Sequence, residues 1–108
     1  MDKSEARIQM EIVMWFRSHH NRTGLMFAVP NETSNVKELM AKKATGLLPG
    51  VSDLVVLLEG GRVLFVEVKT LTNKQQPNQI KFQDNCERLG FNYFVVRSLN
   101  EFKEILGN

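Results

Sequence analysis

Asp53, Glu67 and Lys69 are of the residue types that hold a hard cation and steady a water beside it, provided the fold brings them together. Glu67 and Lys69 fall in "RVLFVEVK" (62–69), a β-branched and apolar run that reads as a strand. Strand side chains alternate between faces, so Val63, Phe65, Glu67 and Lys69 share one surface while Leu64, Val66 and Val68 share the other. Asp53 lies at the start of "SDLVVLL" (52–58), a second β-rich run, and the intervening "EGG" reads as a hairpin loop. The hairpin folds Asp53 onto the end of the sheet that carries Glu67 and Lys69. Loop length decides whether the two acids meet. A strict two-residue turn at Gly60 and Gly61 pairs Glu59 with Arg62 and sets Asp53 opposite Val68, pointing away from Glu67. A three-residue loop over 59–61, or one bulge, sets Asp53 opposite Glu67 on one face. The second register is predicted.

Two carboxylates so close repel, and each resists ionisation unless a cation holds them together. Mg²⁺ prefers oxygen ligands, keeps several waters and is commonly held by one or two carboxylates plus substrate phosphates, which suits Asp53, Glu67 and the Val68 carbonyl. Lys69 then stands beside a metal-bound water. Its ammonium can orient that nucleophile and offset charge on a pentacovalent phosphate, and a neutral form could act as base. The chemistry implied is metal-assisted phosphodiester hydrolysis. The bland alternative is a surface Glu–Lys pair on an edge strand with Asp53 capping a turn, since such triplets arise often by chance. The strongly apolar run, the Asp-led hairpin strand and an inward-facing Glu5 argue for the site.

Glu5 belongs to the first of the elements that must position these groups. Ile8, Ile12, Trp15 and Phe16 recur at helical spacing with Asp2 or Ser4 available as cap, so 4–18 reads as an amphipathic helix. At about 100° per residue Glu5 falls in the apolar sector with Gln9 nearby, whereas Glu11 points away. "GLMFAVP" (24–30) reads as a strand ended by proline, and "VKELMAKKA" (36–44) as a short helix stopped near Gly46. After the polar "TLTNKQQPN", Pro77 opens a helix running to Gly90. "NYFVVRS" (92–98) is a further strand, and Ser98 with Glu101 forms an S-x-x-E capping pattern before a last helix. The order α, β, α, β, β, α, β, α implies an α/β fold, a mixed sheet flanked by helices.

A chain of 108 residues carries one domain, taken as 1–108, with a modest core. Its 43% hydrophobic and 24% charged content is that of a soluble globular protein, and no apolar run approaches the roughly 20 residues that span a bilayer. "MDKSEARIQM" is no secretory signal, and Cys86, alone, makes no internal disulfide or cysteine cage, so a reducing, intracellular, cytoplasmic setting is expected. A net charge of +2 barely argues for nucleic acid. The basic residues do cluster, in "RSHHNR" (17–22) and "KELMAKK" (37–43), with Lys74, Lys81 and Arg88 beyond; each cluster alone reads as solvated surface. His19 and His20 read as an exposed helix end, Trp15 and Phe16 as core, Cys86 as packing. Asn31 and Glu32 form a turn or approach the site. No P-loop or dinucleotide fingerprint is present.

Taken together, Gly50-Val51-Ser52-Asp53, Glu67-Val68-Lys69-Thr70, "PNQIKF" (77–82) and "YFVVRSLNE" (93–101) resemble the VRR-NUC (virus-type replication-repair nuclease) domain of the PD-(D/E)XK superfamily, over nearly the whole chain. The resemblance implies a restriction-endonuclease-like core, dependence on Mg²⁺ or Mn²⁺ and action on DNA. It also implies a stand-alone form, as in phages, that assembles as a homodimer and cuts branched DNA such as four-way (Holliday) junctions. By position, Asp53 and Glu67 match the metal-binding acids, Lys69 the catalytic lysine, Gln79 a glutamine expected to support the site, and Glu5 the acid of the first helix, followed by Gln9, so that Glu5, Asp53 and Glu67 are expected to manage the metal while Lys69 positions the water. Ser52 stands where the superfamily often has proline, which is expected to loosen the backbone before Asp53. The rival readings are a nucleic-acid-binding module without chemistry and a monomeric flap or single-strand nuclease.

Overall fold

The computed structural model describes residues 3–30 and 35–106; Asp2, Asn31 and Glu32 lie outside them. Helix α1 (Glu5–His19) starts where Ser4 Oγ accepts the Arg7 N–H at 3.1 Å, and it buries Ile8, Ile12 and Phe16, the stripe its spacing requires. Strand β1 (Gly24–Ala28) and helix α2 (Val36–Ala44) come next, then the hairpin of β2 (Leu54–Leu58) and β3 (Arg62–Val68). Helix α3 (Pro77–Arg88) crosses over to β4 (Asn92–Val96), and α4 (Leu99–Ile105) ends the described chain.

The sheet order is β1-β2-β3-β4, with the first two pairings antiparallel and β3–β4 parallel, the mixed sheet that the element order implies. Leu54 pairs with Val66 and Leu58 with Arg62, so the loop is the three-residue 59–61 segment and Asp53 falls opposite Glu67. A short 3₁₀ turn at Glu59–Gly61 makes this possible, with both glycines at positive φ, 78° and 74°.

One face of the sheet packs Leu54, Val56, Leu64, Val66 and Val68 against α1 and α4, where Phe16 and Phe102 meet edge to face at 6.2 Å. The other face carries Phe65 and Glu67 toward α3, where Phe65 meets Phe82 at 5.5 Å. Strand β2 begins two residues later than the sequence suggests. There the Val68 N–H donates to Asp53 Oδ2 at 2.8 Å, so a side chain takes the place of the main-chain ladder. Strands β1 and β4 each end two residues early. In α4, Ser98 Oγ accepts the Glu101 N–H at 3.1 Å, but Glu101 Oε1 takes the N–H of Arg97 at 2.8 Å rather than that of Ser98, half of the expected capping box. No helix among the described residues is long and apolar enough to cross a membrane.

Phe102 is wholly buried, whereas Val36 is 72% exposed. Phe102→Ala is expected to cost about 3–5 kcal/mol in urea unfolding, and Val36→Ala less than about 0.5 kcal/mol.

Candidate active site

A cleft of about 690 Å³ opens at the end of the β2–β3 hairpin, with Asp53, Glu67, Gln79 and Glu5 in its wall and Leu39 and Lys43 of α2 at its side. Each acid is there for a local reason. Asp53 is drawn in by the Val68 N–H; Glu67 occupies a strand position whose face is closed by α3, leaving it only 1% exposed. Gln79 lies in the first turn of α3. Its Oε1 accepts the Gln76 N–H at 2.7 Å, which fixes the amide so that Nε2 donates to Glu67 Oε2 at 2.9 Å. Lys69 is also buried, and its Nζ lies 3.8 Å from Glu67 Oε2, an ion pair rather than a hydrogen bond. No donor of the protein reaches the buried Glu67 Oε1, and the Glu67 and Asp53 carboxyls hydrogen-bond to each other through a shared proton.

The electrostatics arise from this crowding. Burial, then the Asp53 charge facing it, push the Glu67 carboxyl up from 4.5 to about 8, with Lys69 opposing the rise. Burial also raises Asp53, against the pull of the Val68 N–H. Glu5 raises both from the rim. Its own Oε2 accepts from Asn73 Nδ2 at 3.1 Å, and no group of three or more His, Cys, Asp or Glu closes around one point among the described residues. The resident pair is therefore Asp53 and Glu67, with Glu5 held apart on the wall.

Three positioning features carried no periodic signal in the sequence. Gly50 has φ +87°, and a Cβ there would lie 2.2 Å from the Asn78 carbonyl oxygen, so only glycine lets the segment before Asp53 press on the first turn of α3. The Arg97 guanidinium donates to the carbonyls of Thr70 and Asn73, the latter at 2.7 Å, and so clamps the loop that presents the Asn73 amide to Glu5. Ser52 does not loosen the backbone: it is wholly buried, and its Oγ donates to the Leu54 carbonyl at 3.1 Å.

The other candidates stand elsewhere. His19 stacks on Trp15 and His20 on Phe16. Cys86 is buried packing; of the basic residues, Arg17 donates to the Met26 carbonyl and Lys42 pairs with Glu38, while Lys43 reaches the cleft.

The VRR-NUC domain family model matches residues 3–100. The chain belongs to the VRR-NUC family. That family is one of nuclease domains, generally dependent on divalent metals and acting on DNA. A solved structure described as a VRR_NUC domain is similar at TM-score 0.67 and 24% identity, with 96% of each chain covered. Another, a VRR_NUC domain protein, gives TM-score 0.75 at 16% identity, covering 96% of this chain and 85% of its own. At these identities the likeness speaks for the fold, which is restriction-endonuclease-like. No curated protein matches the chain.

In chelator, folded Glu67 keeps its proton to about pH 8 where an unfolded one loses it near 4.5, so stability is expected to fall as pH rises through that window. Glu67→Gln is expected to flatten the decline in thermal midpoint, measured without divalent cation. Arg97→Ala strands two carbonyls and is expected to cost about 1–3 kcal/mol in urea unfolding; Arg97→Lys, lacking the planar fork, is expected to recover only part.

Proposed function

We propose that this VRR-NUC chain is a Mg²⁺- or Mn²⁺-dependent endonuclease that hydrolyses phosphodiester bonds in branched DNA such as four-way (Holliday) junctions, and that it works as a homodimer. One observation carries the reading: Asp53 and Glu67 meet at the end of a sheet with Glu67 Oε1 buried and reached by no donor group, which is the donor set and the unmet demand of a hard-cation site. The family supports the metal and the DNA; the branched substrate and the dimer rest on the resemblance.

Asp53 and Glu67 would hold the cation. The Val68 carbonyl would join them, since its N–H turns toward Asp53 and an extended residue carries its carbonyl on the same side. Such an ion, when bound, supplies Lewis-acid polarisation of a phosphoryl oxygen and an acidified water. Glu5 adds a third negative charge at the rim. Gln79 gives one donor to Glu67 Oε2 and none to Oε1, which stays available to a cation. Lys69, beside the same carboxylate, orients the attacking water and opposes charge growing on the phosphate. Two such sites related by a twofold axis suit the near-twofold arms of a junction.

Labelled four-way junction, flap and linear duplex, incubated with Mg²⁺ or chelator, test this directly. Junction cutting that needs metal is expected, and Lys69→Ala is expected to reduce it about a hundred- to a thousandfold while binding persists. Binding with no metal-dependent cutting would mark a module without chemistry; preferred cutting of flaps by a sedimenting monomer would replace the junction reading.

A further inference from the structure

Beside the cleft lies a second cavity of about 470 Å³, within the size range of sites that accept small organic ligands. Its wall is apolar: Phe65, Phe82 and Phe91 are set edge to face at 5.5 and 5.9 Å, with Leu48, Leu89 and Cys86 completing it. Its rim is polar, carrying Asn78, Asn85 and Lys81. The two cavities share Pro49, Val51 and Asn78, so one thin partition separates them. Phe65 and Glu67 stand two residues apart on one face of β3, about 6.7 Å along the strand. A base attached next to a phosphate at Glu67 therefore reaches the aromatic wall without leaving the strand being cut.

We propose that this cavity takes a nucleobase of the substrate strand, unstacked and turned out beside the scissile phosphate. The inference rests on the hydrolase reading and adds to it a reason for selecting structured DNA. Aromatic faces accept any base by stacking, which gives no sequence preference, and the amide groups of Asn78 and Asn85 can meet a base edge at the rim. Lys81 pairs with no acid among the described residues and offers its charge to the neighbouring phosphate. A base in intact duplex must be unpaired and unstacked to enter, at a cost of a few kcal/mol, whereas one at a branch point is already loose. The cavity thus favours branched or distorted DNA through the ease of turning out a base.

The test places 2-aminopurine in turn at each nucleotide around the branch of a four-way junction, with Ca²⁺ in place of Mg²⁺ so that binding is read without turnover. A fluorescence change on binding is expected at one position, lost in Phe91→Ala and kept in Phe91→Trp. Phe91 is 45% exposed, so its truncation leaves the core intact. An abasic nucleotide at that position is expected to weaken binding about five- to tenfold in the unaltered protein and not further in Phe91→Ala. Equal losses in both proteins would overturn the proposal. So would sedimentation showing that Phe91→Ala splits a dimer, since the cavity would then belong to a contact between copies. A preserved fluorescence change in a protein that never cuts DNA would sink the hydrolase reading and leave the base pocket standing.

Discussion

Two carboxylates forced face to face in a nearly dry setting are the constraint around which this end of the molecule is arranged. Burying such a pair is unfavourable, and each hydrogen bond supplied to it offsets part of that cost. The Val68 N–H serves Asp53, the Gln79 amide serves Glu67 and the two carboxyls share a proton, but no donor group reaches Glu67 Oε1. The register of the hairpin creates the confrontation: with a loop one residue shorter, Asp53 would lie opposite Val68, on the reverse surface.

The surrounding elements act as braces for this pair. Gly50 allows the segment before Asp53 to touch the backbone of α3 at Asn78, one residue before Gln79, so the two hydrogen-bond arms are fixed against each other. On the far side, Arg97 belongs to the entry into α4: its N–H binds Glu101 while its guanidinium holds the loop after Lys69. The position of Glu5 is thereby tied to the capping of a helix at the other end of the chain.

Much of this was legible in the sequence, for physical reasons. Alternation along β3 and helical spacing along α1 are periodic signals, so the shared face of Glu67 and Lys69 and the inward turn of Glu5 could be read directly. The hairpin register was legible because only one loop length put both acids on one side. Gln79 was found through the family resemblance and not by periodicity. Asn73 and Arg97 were missed because their bonds run between loop backbone and side chains distant in sequence, an arrangement that leaves no pattern. The missing ring at Ser52 predicts a looser backbone, but its burial and its bond to the Leu54 carbonyl supply the restraint instead. The capping of α4 was half right, because Glu101 reaches the amide one residue beyond the expected one.

Helix α2 buries none of its residues, yet Leu39 and Lys43 form one side of the cleft. Its own support is local: Asn35 caps its first turn at 2.7 Å, and Lys42 pairs with Glu38 at 2.8 Å. Nine residues with so little hold on the core make a marginal helix. That side of the cleft is therefore held by the helix's own cap and ion pair, and local opening there costs less than opening the paired strands that place Asp53 and Glu67.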